Sequence, residues 1–252
     1  MFPGFDRLCY DNTSTDMILD MYERFWGVPL PQEHTSLKDS VLIPSDSVDR
    51  GHDMNDGENG EEDDGDLLPA TPVPVIDIVG RRLLIRAEYL RIYKWVEDCY
   101  EEGNPYRPSA IIVTGQPGIG QYSIMIQEAC FVDTPPCVGK SFWAYYVLRR
   151  RLGEKSTVLW FQAPALYLFC SEGVLIVPHT FTFTKFTPRI WTIIDSADSP
   201  VSIPTTLAGF LPGVFPIYLT SPWPARWSGI TQSWTAHRIV MNPWTRAEIE
   251  YG

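Results

Sequence analysis

The sequence has few cysteines and histidines, and neither type is spaced as a metal site or a disulfide framework requires. Four histidines are scattered along the chain, and the cysteines are odd in number and form no CxxC pair, which argues against a zinc site. The N-terminus also lacks the charged and apolar regions of a secretory signal. We therefore expect reduced thiols in an intracellular protein, either cytoplasmic or nuclear. The five cysteines are Cys9, Cys99, Cys130, Cys137 and Cys170.

Long apolar runs and extended basic patches are missing as well. Apolar stretches such as Val174–Val177 are far shorter than the roughly 20 residues of a membrane-spanning helix. The net charge is −11, but eight acidic residues and no basic one lie between Gly51 and Asp66, so the rest of the chain is close to neutral. The one dense basic cluster, Arg149–Arg151, is expected to cover a solvated helix face. Neither a membrane nor a direct nucleic-acid partner is indicated, because nucleic-acid binding needs clustered Lys and Arg.

Three zones follow from the pattern of the sequence. Residues 1–43 contain one candidate helix, Thr15–Trp26, with apolar residues at helical spacing. Residues 44–74 are rich in Asp, Glu, Gly and Pro, and are too polar to offset the cost of ordering. We interpret them as a disordered acidic linker, with an acidic binding tail as the alternative. Residues 75–252 have the pattern of one folded domain.

That domain is predicted to be α/β, with strands and helices alternating as in a parallel sheet flanked by helices. The apolar periodicity predicts helices over Arg82–Glu102 and Ser141–Leu152. A hairpin is predicted from Leu166–Cys170 and Val174–Val177, and a final helix from Pro243 onward. The other predicted strands are Ala110–Thr114, Thr157–Gln162, Ile190–Ile194, Phe215–Thr220 and Arg238–Met241.

A phosphate-binding loop, or P-loop, follows the first of these strands in two separated parts. Such a loop reads GxxxxGK[ST] between a strand and a helix: its backbone amides surround a phosphate, its lysine reaches the β and γ oxygens, and its hydroxyl binds Mg²⁺. The first part is Gly115, Gln116, Pro117, Gly118, Ile119 and Gly120, and the second part is Gly139, Lys140 and Ser141. Each part has its correct flanking element, so we predict that ATP and Mg²⁺ bind here.

The two parts are separated by a 19-residue insertion, residues 121–139. Removing it restores GQPGIGKS directly before a helical segment. Closing a loop of this length costs only about 2.6 kcal/mol, but the insertion interrupts the row of amides that must surround one phosphate. Because both parts meet at a glycine, Gly120 or Gly139, we hypothesise a retained intron or a gene-model error. Sequencing the spliced transcript tests this hypothesis.

Two further residues are candidates for the same site. Asp195 ends a buried strand, as a Walker B acid does when it orients a water on Mg²⁺, and with Ser141 it completes the predicted metal ligands. Thr220 ends the next strand and could sense the γ-phosphate, although a turn residue is an equal interpretation. Ser196 stands where many ATPases carry a catalytic Glu, so no general base is identified and ATP hydrolysis is left open.

Several strings from the predicted domain carry a resemblance to a known family. The strings GQPGIG…GKSFWAYYVLRRRL, WTIIDS, YLTSPWPARW and VMNPWTRAEIE resemble fungal P-loop proteins similar to the NTPase module of Crinkler and retrotransposon-hot-spot proteins, which are distant relatives of AAA+ and STAND ATPases. The resemblance covers roughly residues 80–252. It implies ATP at Gly115, Gly118, Gly120, Gly139, Lys140 and Ser141, and Mg²⁺ near Ser141 and Asp195. It also implies a further helical region and an effector domain, so the chain is expected to be C-terminally truncated.

Three functions remain open from the sequence. The first is an ATP-binding NTPase module, with binding impaired by the insertion. The second is a non-catalytic remnant or interaction protein that keeps the α/β fold and has lost the nucleotide. The third is a P-loop kinase, for which the sequence shows no acceptor site. The motif that excision restores favours the first, whereas the insertion and the absent Glu favour the second.

Overall fold

A computed structural model describes the fold of about half of the chain. The described residues are 4–9, 16–30, 75–77, 82–101, 107–115, 139–178, 180–181, 183, 186, 189–195, 207, 213–220 and 235–243. The predicted linker (residues 44–74) lies outside these ranges, as do the rest of the first P-loop part with most of the insertion (residues 116–138) and the helix predicted from Pro243 onward, apart from Pro243 itself.

The described chain contains three helices and ten strands. The helices are α1 (Asp16–Phe25), α2 (Ala87–Tyr100) and α3 (Lys140–Gly153). The strands are β1 (Asp6–Arg7), β2 (Val75–Asp77), β3 (Arg82–Leu84), β4 (Ala110–Gly115), β5 (Val158–Gln162), β6 (Ala165–Cys170), β7 (Gly173–Ile176), β8 (Ile190–Asp195), β9 (Val214–Leu219) and β10 (Ala236–Met241).

Eight strands form one mixed sheet in the order β1-β7-β6-β5-β8-β9-β4-β10. The strands from β5 to β10 in this order are parallel to one another. The strands β6, β7 and β1 extend the sheet with antiparallel pairs. The α/β class and the β6–β7 hairpin are therefore confirmed. The sheet is mixed rather than parallel throughout, as the predicted hairpin requires, because the short turn between β6 and β7 can join only antiparallel strands.

The parallel strands β4, β5, β8 and β9 are apolar over most of their length because both faces of the sheet are covered there, whereas the edge strand β10 exposes His237 and Arg238. Alternate residues of β4 divide between two cores: Ile111 and Val113 pack with the three helices, whereas Ala110 and Ile112 pack with Phe183 and other aromatic residues on the opposite face. All of the described helices thus contribute to one core. The sheet positions the carboxyl ends of five parallel strands along a single edge.

The helix predicted over Arg82–Glu102 begins later than expected. Residues Arg82–Leu84 form β3 and pair with β2 in a separate two-stranded sheet, and the helix starts at Ala87. The helical spacing places Ala87 on a buried face with Leu90, Tyr93 and Trp95, but Ala87 is exposed. Trp95 is half-buried and packs against the core. The apolar residues before Arg86 fit a helical pattern, but so short an apolar run fits a strand equally well.

The N-terminal segment joins the main fold through both of its elements. The prediction of a helix over Thr15–Trp26 is confirmed by α1, whose residues Ile18 and Met21 enter the helix-side core. Asp6 and Arg7 pair with β7 at the edge of the sheet. The division of the chain into three domains otherwise stays a prediction.

The cluster Arg149–Arg151 does not form the solvated face that was expected. Arg149 is 4% exposed, donates to the carbonyls of Val28 and Pro29, and lies over the ring of Phe25. The other two guanidinium groups lie over Tyr93 and Trp191. The long side chains of these arginines bury their stems against aromatic rings. No helix in the described ranges is long and apolar enough to cross a membrane.

Candidate functional site

The carboxyl ends of the parallel strands place Gly115, Asp195 and Thr220 at one edge of the sheet. Asp195 of β8 is level with Leu219 of β9, and Leu219 is level with Val113 of β4. Gly115 follows two residues later and is paired with Met241 of β10. Ligands of open α/β sheets bind at this edge, outside the carboxyl ends of the strands.

The structure places Gly115, the first residue of the interrupted motif, beside Lys140 of its second part. The Nζ atom of Lys140 lies 3.4 Å from the carbonyl oxygen of Gly115, although 25 positions separate the two residues along the chain. Gly115 is the last residue of β4 and Lys140 is the first residue of α3. The β4 strand therefore ends directly beside the beginning of α3. This is the arrangement that a strand, phosphate loop and helix require.

Gly139 directly precedes α3, at a position with little space for a larger side chain. Its backbone is already helical, and no side chain caps the helix there. A Cβ atom on Gly139 would lie 3.2 Å from the sulfur of Met241. The Gly139 carbonyl accepts a hydrogen bond of 3.1 Å from the Tyr89 hydroxyl. The first amides of a helix have no partner within that helix and favour an anion, so this end of α3 suits a phosphate.

Asp195 lies two strands away from Gly115, with β9 between them. Strands are spaced about 4.8 Å apart, so β4 and β8 are separated by about 10 Å at this edge. Alternation along β8 places Asp195 on the same side as Trp191 and Ile193, which belong to the helix-side core. Asp195 is half-buried, in contrast to the five fully buried residues that precede it in β8.

Thr220 follows β9 and extends its pairing with β4 by one hydrogen bond, from its backbone N–H to the carbonyl of Val113. The residue is 2% exposed. Its hydroxyl oxygen is buried and has no hydrogen-bond partner among the described residues. A buried hydroxyl without a partner costs free energy. Alternation along β9 places Thr220 on the same side as Val214 and Tyr218, opposite to Asp195 and α3, so its hydroxyl does not face the predicted phosphate position.

The first turn of α2 connects this edge to the chain that leaves β10, which the sequence did not reveal. Glu88 is 8% exposed, and accepts hydrogen bonds from the side chain of Arg91 and from the backbone N–H of Asn242, each at 2.7 Å. Arg86 is 1% exposed and donates to the carbonyls of Asn242 and Pro243. The sequence pattern of α2 does not indicate this network, because Asn242 and Pro243 are distant in sequence from Arg86 and Glu88.

The remaining predicted residues are only partly described. Ser141 is the second residue of α3 and is half-buried. Gln116, Pro117, Gly118, Ile119 and Gly120 lie outside the described residues, as does Ser196. No group of three or more His, Cys, Asp or Glu side chains within the described ranges is arranged to hold a metal. A Mg²⁺ ion in a nucleotide site needs fewer protein ligands, because phosphates and waters supply the rest.

Comparison with known proteins finds a partial similarity to Crinkler effectors. Over 83 residues, which make up 32% of this chain, the sequence is 40% identical to Crinkler effector protein 15 of Phytophthora infestans. Crinkler effector protein 16 of the same organism matches to the same extent. The chain spans 13% of the length of each of these relatives. No family model and no solved structure matches the chain. The Crinkler resemblance is thus supported over about a third of the chain.

Proposed function

We propose that this chain is an ATP-binding P-loop NTPase module in which the insertion weakens nucleotide binding. The observation that carries the proposal is the contact between Lys140 and Gly115, 3.4 Å from Nζ to the carbonyl oxygen. A lysine at the start of one helix has no structural need to meet the end of β4 across so long a separation. A shared phosphate site gives both residues one role.

Each residue at this edge has a role that fits a magnesium nucleotide. Lys140 supplies a positive charge for the β and γ phosphates, and the beginning of α3 supplies backbone amides. The hydroxyl of Ser141 and the carboxylate of Asp195 are the oxygen ligands that Mg²⁺ prefers. The separation of about 10 Å between β4 and β8 leaves room for a phosphate chain and its metal between these groups.

We propose binding as the main function, and hydrolysis as secondary. The neighbourhood of Asp195 offers one carboxylate in the described residues, and Ser196 follows it in sequence. A carboxylate that already serves Mg²⁺ is a poor general base for water. The chain therefore suits a switch that changes state on nucleotide binding.

The similarity to Crinkler effectors supports a further proposal about context. We propose that this chain corresponds to the NTPase part of a Crinkler-like protein. The match is limited to 83 residues and to 13% of the relatives' length, so effector activity of the whole relatives is not carried over to this chain. The described sheet and the motif parts are consistent with a nucleotide-binding part of a larger protein.

Thermal melting with and without Mg-ATP tests the proposal. A ligand present at 100 times its dissociation constant stabilises the folded state by about 2.7 kcal/mol. We expect ATP to raise the melting temperature of the full chain, and Lys140→Ala to abolish this rise. Lys94→Ala is the matched control, because Lys94 is 65% exposed and forms an ion pair with Asp98 on the surface of α2; its response to ATP should equal that of the unmodified chain.

The same experiment distinguishes the nucleotide-binding function from the non-catalytic one. If neither the full chain nor a variant without residues 121–139 responds to Mg-ATP, the proposal is wrong and a remnant or interaction protein is favoured. If Lys140→Ala responds as strongly as the unmodified chain, nucleotide binds elsewhere. Response of the shortened variant alone would show that the insertion abolishes binding in the present chain.

A further inference from the structure

A second group of cations lies at the opposite edge of the sheet, where the parallel strands begin. Arg107 stands three positions before β4, and Arg189 directly precedes β8. Tyr100, the last residue of α2, lies between them: the guanidinium carbon of Arg107 is 4.7 Å from the centre of its ring, and its hydroxyl donates to the backbone carbonyl of Arg189. Two arginines therefore share one aromatic neighbour.

The guanidinium group of Arg189 is fixed by the backbone. Its Nε donates to the carbonyl of Val214 at 3.0 Å, and its Nη2 donates to the carbonyl of Ser109 at 3.1 Å. Ser109 is only two positions after Arg107, so the two side chains reach the same corner of the fold. Burial and, to a smaller extent, the charge of Arg107 lower the pKa of Arg189. Arg189 thus adds a fixed positive charge beside Arg107.

The hydrogen-bonding edge of Arg107 is unused. Its Nε and Nη2 atoms are both buried and have no hydrogen-bond partner, and neither Arg107 nor Arg189 pairs with a carboxylate in the part of the chain that the structure describes. These two nitrogens point the same way and form the fork that binds two oxygens of one anion.

Arg91 shows how the same pair of donor atoms binds when a carboxylate is present. Its Nε and Nη2 each donate at 2.7 Å to the two carboxylate oxygens of Glu88. Arg107 presents the same pair of donors in a more buried setting beside a second cation. A buried charge without a counter-ion is costly, and a pair of like charges adds to that cost. An oxyanion that bound there would offset both contributions.

We propose that Arg107, assisted by the charge of Arg189, forms a binding site for a phosphate-type oxyanion at the amino-terminal edge of the sheet. The site is separate from the nucleotide site. Six residues from Ser109 to Gly115, at about 3.3 Å each, place it about 20 Å away. The inference does not rest on the proposed nucleotide binding. The Nε and Nη2 donors are enclosed, whereas Arg107 as a whole is half-buried, so the site lies near the surface of the fold.

Inorganic phosphate is the probe that tests the site. The melting temperature of the full chain is measured as phosphate replaces chloride at constant ionic strength, without nucleotide. We expect a saturable rise that persists in Lys140→Ala and is lost in Arg107→Met. Arg107→Lys keeps the charge and loses the fork, and should weaken the apparent affinity at least about tenfold. Arg24→Met is the matched control, because Arg24 is an exposed arginine on α1, and it should respond as the unmodified chain does.

Two results would overturn the inference. One is no saturable response of the unmodified chain to phosphate. The other is a full response in Arg107→Met, which would place the anion elsewhere; loss of the response in Lys140→Ala with retention in Arg107→Met would assign it to the predicted nucleotide site. Because the readout is the phosphate-dependent change, a lower starting stability of Arg107→Met does not obscure it. If that variant fails to fold, Arg107→Lys and the phosphorus NMR linewidth of free phosphate with the unmodified chain decide the question.

Discussion

The parallel and antiparallel halves of the sheet are equally apolar inside but differ in what they carry at their edges. The strands β5, β8, β9, β4 and β10 all end on one side, and Gly115, Asp195 and Thr220 follow their buried segments there. In the antiparallel half, neighbouring strands run in opposite directions, so their carboxyl ends lie at opposite edges of the sheet. The hairpin turn between Cys170 and Gly173 is an example. Convergence of polar groups is therefore a property of the parallel half.

This difference separates stability from function. A parallel sheet must be covered on both faces, which leaves the strand ends as the place where polar groups can gather without interrupting the core. The antiparallel half stabilises the fold through the same kind of burial and contributes no residue to the proposed nucleotide site. Substitutions in the two halves should consequently have effects of different kinds.

The largest expected effect is a loss of stability without a loss of nucleotide response. Leu168 of β6 is fully buried and is paired with Leu159 and Leu175 on the neighbouring strands. Leu168→Ala should lower the free energy of unfolding by about 2–5 kcal/mol, because it leaves a cavity in the core. Urea unfolding measures the loss, and the added stabilisation by Mg-ATP should be unchanged.

A volume-conserving change provides the control for this substitution. Leu168→Met should cost less than about 1.5 kcal/mol. If Leu168→Ala removed the ATP response while the protein remained folded, the antiparallel half would take part in nucleotide binding and the separation of roles would fail.

A smaller effect is expected where α2 is connected to the chain after β10. Glu88→Gln keeps the shape of the side chain but removes the charge that Arg91 and the Asn242 amide share. Hydrogen bonds to a charged group contribute about 1.5–3 kcal/mol, and we expect a loss of stability of this order in urea unfolding. Glu101→Gln is the matched control, since Glu101 is exposed at the end of the same helix and should change stability by less than about 0.5 kcal/mol. Equal effects of the two substitutions would contradict the structural role of Glu88.

The smallest effect concerns the contact of α1 with the antiparallel half at high pH. The Tyr22 hydroxyl donates to the carbonyl of Cys170 at 2.8 Å, and burial, followed by the nearby Cys170, raises the pKa of Tyr22 above its ordinary value of 10.0. A raised pKa in the folded state favours the protonated form there. Its contribution to stability is therefore complete below the unfolded pKa, and is lost as pH rises through the folded pKa.

Urea unfolding at pH 9 and pH 11 measures this dependence. Stability should fall between the two values, and Tyr22→Phe should make the fall shallower because phenylalanine does not titrate. Other buried tyrosines, such as Tyr93 and Tyr218, also have raised pKa values, so part of the slope should remain. An identical slope in Tyr22→Phe would show that this hydroxyl does not contribute.

The sequence predicted those features that depend on local pattern. The apolar run Ile190–Ile194 and its final Asp195 were sufficient to identify β8, and the helical spacing after Lys140 identified α3. Three features depended on distant contacts and were missed. The residues before Arg86 form β3 because a partner strand is available, the arginines Arg149–Arg151 are packed because aromatic rings surround them, and Glu88 is satisfied by Asn242 from the far end of the chain.

The strand order was likewise not predictable from local pattern. The strand order depends on which strands pair with each other, whereas the sequence indicated only that strands and helices alternate. The proximity of Lys140 to Gly115 was a hypothesis that rested on motif chemistry, and the structure places the two residues in contact. Nucleotide binding at that contact stays a prediction.

Titration calorimetry with Mg-ATP tests most directly whether the two motif parts form one phosphate site. The full chain is compared with a variant that lacks residues 121–139 and joins Gly120 directly to Lys140. The account predicts saturable one-to-one binding by the shortened variant, weaker binding by the full chain, and loss of binding when Lys140→Ala is added to either. No binding by the shortened variant, or binding that is indifferent to Lys140, would contradict it.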